Sequence, residues 1–205
     1  MEKHPFEPFL PAKAKMLMLG TFPPAEKRWS MSFFYPNFSN DMWRIVGLCF
    51  FGDKNHFVDP EHKTYRLPEL KHFLQEKGIA LYDTARAVRR TKNTASDKDL
   101  EVVEYTDIDA LLHQLPLCEH VVTAGQLASE IVAAHFGVAV PKVGEPVPVG
   151  GYRRKLTLWR MPSSSRAYPL QVERKAEAYQ KVFALLRSAT AFFIFLFLKP
   201  FILQI

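Results

Sequence analysis

The sequence is poor in thiols. Cys49 and Cys118 are the only two cysteines among 205 residues, they stand in unrelated contexts, and no Cys-x-x-Cys pair exists. A disulfide framework and a four-cysteine or iron–sulfur cluster are both excluded, because each needs more sulfur. A reducing, cytoplasmic compartment is the corresponding expectation. The seven histidines show no ligand spacing, and His56 and His62 sit in a polar stretch, so neither a metal nor a cofactor is expected. The opening residues, MEKHPFEPF, lack the apolar run of a signal peptide. A membrane-length run is lacking too. The most apolar stretch, TAFFIFLFLKPFILQI from Thr190 to Ile205, falls short of the ~20 residues a membrane helix needs, and Lys199 and Pro200 interrupt it. It reads as a packing tail or a self-associating end. The expected organisation is therefore one domain over residues 1–188, with 189–205 an apolar tail outside it. There is no internal repeat, no linker and no sign of an obligate protein partner.

What is present is a globular composition. Apolar residues make up 48% of the chain, enough for a full core at this length. The formal net charge of +6 fits a polyanionic partner but does not require one. Short apolar runs alternate with amphipathic stretches. Strands are expected at Lys15–Gly20, Ile79–Tyr82, His120–Thr123 and Lys155–Trp159. Helices are expected at Met42–Phe51, Leu67–Lys77 (with Gly78 as its cap), Asp107–Leu115 (with Asp107 as N-cap), Gly125–His135 and Arg174–Arg187. Residues Ala85–Asp99, carrying Arg86, Arg89, Arg90, Lys92 and Lys98, read as a basic surface loop. This alternation predicts a three-layer αβα sandwich around a central, mostly parallel four-stranded sheet.

In such sheets ligands lie beyond the carboxyl ends of the strands, and three of the four loops there carry unusual residues. The first, Gly20 to Arg44, has a glycine that admits close backbone approach, the aromatic run Phe33-Phe34-Tyr35, and Asn37 and Asn40. A stacking ring with an amide beside it suits a flat polar ligand, although a hydrophobic loop over the sheet edge would look the same. The last, Met161 to Pro169, places Ser163, Ser164 and Ser165 next to Arg166, which suits a phosphate but equally an ordinary Ser/Pro turn. Gly125 in the third loop reads as a packing position. The loop after Tyr82 opens with Asp83, which reads as a cap for that loop rather than as a catalytic group. The basic residues of Ala85–Asp99 either track a nucleic-acid backbone or form a solvated loop.

Taken in order and spacing, the segments resemble the uracil-DNA glycosylase superfamily, and most closely its hypoxanthine-DNA and mismatch-specific uracil branch. The residues that carry the likeness are Gly20-Thr-Phe-Pro23, Tyr35 and Asn40-Asp41-Met42-Trp43-Arg44. They continue with Gly78, Ile79, Leu81 and Asp83, then Ala95-Ser96-Asp97, VVTAGQLAS and MPSSSRA. Together they span roughly Lys15 to Leu186. The sequence departs from the pattern at Asn37-Phe38-Ser39, where the family often has His-Pro-Arg. Met42 replaces a usual Phe, Arg166 and Tyr168 replace Pro and Asn, and the last motif lacks a histidine.

The resemblance implies a monofunctional DNA glycosylase of base excision repair, acting in the cytoplasm at the nucleoid. It would hydrolyse the N-glycosidic bond of hypoxanthine or uracil in DNA holding a deaminated or mismatched base. Asn40 is the implied catalytic residue, contacting the base or orienting the attacking water. Gly20, Thr21 and Phe22 would line the base pocket with their backbone, and Tyr35 would stack on the flipped base. Ser163 and Ser165, with Ser164 beside them, would grip flanking phosphates. Arg166 would join them on a phosphate or fill the gap left by the base. Asp41, a negative charge near DNA, and the missing histidine motivate an alternative: a weak or inactive member that binds DNA or a modified base. A third reading is an unrelated α/β enzyme acting on free nucleosides.

Overall fold

The structure, a computed structural model, describes residues 1–92 and 99–186. The expected tail at 189–205, Ala95-Ser96-Asp97 and Lys98 lie outside the described residues. The chain builds the expected α/β sandwich. Its central sheet contains β2 (Met16–Gly20), β5 (Ile79–Asp83), β8 (His120–Ala124), β9 (Pro146–Val149) and β10 (Leu156–Met161), in the order β5-β2-β8-β10-β9. The first four of these in space are mutually parallel. β2 and β5 are buried at every residue, so both faces of the sheet are covered, and continuous runs such as MLML and IALY follow from that double burial.

The helices that cover it are α1 (Met42–Phe51), α2 (Leu67–Lys77), α3 (Ile108–Gln114), α4 (Gln126–Phe136) and α5 (Val172–Phe183). α1 packs on α5, α2 on β5, and α4 on β8 and β10. Gly78 ends α2 in the left-handed region, at φ 69°, and the Asp107 side chain accepts from the Ala110 N–H at the start of α3. Among the described residues no helix is long and apolar enough to cross a membrane.

Two expectations are corrected. The sheet has five strands, not four: β9 joins β10 antiparallel at the edge. Its sequence, PVPV, does not read as a strand because proline cannot donate to a ladder. At an edge the prolines can take the positions whose N–H would point outward. In addition, Ala85–Asp99 is not a loop throughout. Ala85–Arg90 forms β6, which pairs with β7 (Leu100–Tyr105) and with β1 (Glu2–Lys3) in a second, antiparallel sheet. In β6 the residues Ala85, Ala87 and Val88 are buried, whereas Arg86 and Arg89 point outward. The basic residues are matched by acids: Arg86 with Glu104 at 3.4 Å, Arg89 with Glu101 at 2.7 Å, Arg90 with Glu2 at 2.9 Å and Lys92 with Asp99 at 3.8 Å. A small hairpin, β3 (Val58–Asp59) with β4 (Thr64–Tyr65), lies between α1 and α2.

Candidate functional site

Strand register decides what meets at the carboxyl edge of the sheet. Gly20 stands opposite Asp83, and Met161 opposite Ala124. The loops that leave these residues enclose a cavity of about 120 Å³, and Gly20, Thr21, Phe22, Tyr35, Asn40, Asp83, Ser163, Ser164, Ser165 and Arg166 all contribute to its wall. Every residue given a role in the site by the sequence therefore lines one cavity, and Asp83 joins them. The volume is well below the ~300–1,000 Å³ of a site for a drug-sized ligand, so it matches a small ring system rather than a whole cofactor. Among the described residues no group of His, Cys, Asp and Glu is arranged to hold a metal ion.

The first loop is shaped by its own hydrogen bonds. The Ser30 N–H and hydroxyl both donate to the Pro36 carbonyl at 2.9 Å, which folds the aromatic run back on itself. Phe33 and Phe34 go into the core, so of the three rings only Tyr35 borders the cavity. Tyr35 has φ 50°, a left-handed conformation that a bulky residue adopts only when its surroundings impose it. The indole of Trp43 supports its ring edge-on, at 5.7 Å between centroids.

Asn40 is fixed from three sides. Its Oδ1 accepts from the Met42 N–H at 2.9 Å, at the start of α1. Its backbone carbonyl accepts from Tyr65 and from Arg44. Arg44 also donates to the Phe38 carbonyl at 2.8 Å and lies over the Phe38 ring at 4.7 Å. Burial pushes the Tyr65 phenol up to about 12, so its hydroxyl stays protonated and able to donate. With one lone pair of Oδ1 taken by Met42, the amide N–H₂ gives Asn40 donors to offer a ligand.

The last loop sits across the cavity. The Ser163 hydroxyl accepts from the Ser165 N–H and the Ser165 hydroxyl from the Ala167 N–H, both at 3.2 Å. Ser164 is buried, and its carbonyl accepts from the Asp41 N–H at 2.9 Å. Ser163 and Ser165 are partly exposed, whereas Arg166 is largely in solvent. Gly125, expected as a packing position, is instead set by its backbone: it stands at φ 102°, which favours glycine, whereas a Cβ there would meet that of Ser163 at 3.7 Å, an ordinary contact.

Two elements of the site are not legible as motifs. Lys175, on α5, is fully buried, and its ammonium donates to Asp41 Oδ2 at 2.9 Å and to the Ser165 carbonyl at 2.7 Å. Arg166 approaches Asp41 Oδ1 at 3.4 Å. The carboxylate beside Asn40 is thus matched by two cations, and it does not present an unbalanced negative charge to an anionic ligand. The second element is His4. Its Nε2 meets Asp83 Oδ2 at 2.9 Å, with the imidazole 2% and the carboxylate 10% exposed. The Asp83 side chain therefore serves His4 rather than capping the loop after its strand. A histidine in an aromatic N-terminal run, remote in sequence from its partner, gives no motif by which to find it.

No family model matches the chain, and no curated protein matches it in sequence. Solved structures do match. One is the solution NMR structure of a candidate uracil DNA glycosylase from Methanosarcina acetivorans. It is 23% identical with a TM-score of 0.60, over 90% of this chain and 98% of that one. At that identity the likeness is one of fold.

Proposed function

We propose that the protein is a DNA glycosylase that hydrolyses the N-glycosidic bond of a deaminated base, hypoxanthine or uracil, in DNA. The observation that carries this reading is one small cavity walled by an aromatic ring, an amide donor and a serine-rich loop, at the carboxyl edge of the sheet. Breaking the bond leaves negative charge on the base and cationic character on the sugar. The target nucleotide is first swung out of the duplex, at a cost of a few kcal/mol that is smallest for a mismatched base. Tyr35 stacks on it. The Asn40 amide and the backbone from Gly20 to Phe22 donate to base carbonyls, where the charge develops. Ser163, Ser165 and Arg166 take the flanking phosphates. The shared fold supports the reading, and so does the neutralisation of Asp41.

The test is base release from labelled duplexes carrying one uracil or one hypoxanthine, with alkali revealing abasic sites. Wild type runs beside Asn40→Ala and Asn40→Asp. Asn40→Asp keeps the acceptor that Met42 uses but puts a negative oxygen in place of the amide donor, and Asn40→Ala removes the donor without adding charge, so loss in both variants assigns the defect to that donor. The expected loss is on the order of 10²-fold, the scale of removing one donor to a developing anion. Wild-type binding to lesion duplexes with no base released would instead establish the inactive-binder alternative.

A further inference from the structure

We propose that Asp83, held in place by His4, is the acceptor for the attacking water; the inference rests on the hydrolytic reading above. A hydrolysis needs a group that accepts from water, and the cavity wall offers few. The Asn40 Oδ1 has one lone pair taken by Met42 and as a neutral amide oxygen is a weak base for the other, and the Asn37 Oδ1 accepts both the N–H and the hydroxyl of Ser39. The hydroxyls of Ser163 and Ser165 accept backbone N–H groups. Arg90 and Arg166 are donors only. The hydroxyls of Thr21 and Tyr35 are neutral and accept far more weakly than a carboxylate. Among the described residues, Asp83 is the one carboxylate in the wall.

Its placement is specific. At the end of β5 it stands opposite Gly20, and a Cβ on Gly20 would come within 2.4 Å of Asp83 Oδ1. The missing side chain is therefore what lets this oxygen lie at the wall. The other oxygen, Oδ2, meets His4 Nε2. The imidazole cannot swing: its Nδ1 lies 2.9 Å from the Phe6 carbonyl, and the rings of Phe6, Phe22, Phe34 and Tyr82 surround it at centroid distances of 4.7–6.1 Å. β1 delivers it, through the His4 N–H bond to the Arg86 carbonyl at 2.8 Å. His4 fixes the carboxylate and touches no reacting atom, so it is a positioning residue. In the step, the C1′–N bond breaks and its electron pair leaves on the base. The water oxygen bonds to C1′, and its proton passes to Asp83. Asp83 then returns that proton to solvent, from which the base anion takes one.

The experiment compares single-turnover base release with affinity for a non-cleavable duplex bearing a 2′-fluorinated lesion nucleotide. The proteins are wild type, Asp83→Asn, His4→Phe and the double variant. Asp83→Asn is expected to slow release at least ~100-fold, as for loss of a general base, with affinity within about threefold. His4→Phe should slow it by roughly tenfold, and the double variant should be no slower than Asp83→Asn alone, since groups acting as a unit are not additive. Three results would overturn the inference: an Asp83→Asn rate close to wild type, a changed lesion preference with weakened binding, or multiplicative losses in the double variant. If Asp83→Asn does not fold, the rate-against-affinity split in His4→Phe decides. If wild type releases no base from any lesion, the hydrolytic reading itself fails.

Discussion

Gly20 has no side chain where Asp83 needs the space. Its backbone φ is ordinary, so the demand is one of close approach and not of conformation. Gly20→Ala should therefore push the Asp83 carboxylate off His4. A destabilisation of about 1–3 kcal/mol is expected from the overpacking, with a fall in base release larger than that loss of folded protein explains. Urea melts alongside single-turnover rates check it, and a fall in rate that merely follows the folded fraction would refute it. At this scale the sequence is legible for residues whose neighbours in space are neighbours in the chain. Asn40, Tyr35 and Ser163 to Arg166 announce themselves as local motifs. His4 and Lys175 do not, because Asp83 lies 79 residues from His4 and Asp41 lies 134 residues from Lys175.

Among the elements, α5 does more than cover the sheet. Through Lys175 it ties the loop before α1 to the loop after β10, two walls of one cavity. Lys175→Met leaves Asp41 buried with a much poorer partner and should cost about 3–5 kcal/mol. Adding Asp41→Asn removes the stranded charge and should recover a large part of that. Thermal denaturation of the two single variants and the double variant tests it, and additive losses would count against the brace. The elements that hide from a sequence reading do so for definite reasons. The helices and the parallel strands show through apolar period and run length. β6 is masked by its arginines, whose acidic partners lie mostly on β7, a strand that cannot be paired to it before the fold is known. β9 is masked by its prolines.

For the whole molecule, the positive balance is unevenly available. Arg86 and Arg89 of β6 each face a glutamate of their own, whereas Arg166, at the cavity mouth, shares its carboxylate Asp41 with Lys175. Arg166→Ala should flatten the dependence of log K on log salt for DNA by about 0.9, the value for one lost phosphate contact. Arg89→Ala should leave that slope unchanged. Titrations across a salt series distinguish them, and equal slopes in wild type and Arg166→Ala would remove Arg166 from the DNA contact.

The prolines of β9 have a consequence that reaches past the single molecule. Pro146 and Pro148 stand opposite Trp159 and Thr157, so their nitrogens face away from the sheet and carry no hydrogen. A strand arriving from a neighbouring copy finds carbonyls along that margin and no donor from either proline. The opposite margin is occupied in its turn, since the Phe9 N–H donates to the Leu81 carbonyl and the Phe9 carbonyl accepts from the Leu81 N–H. Among the described residues the central sheet is closed at both borders, and a neighbouring copy finds no ready seam along it.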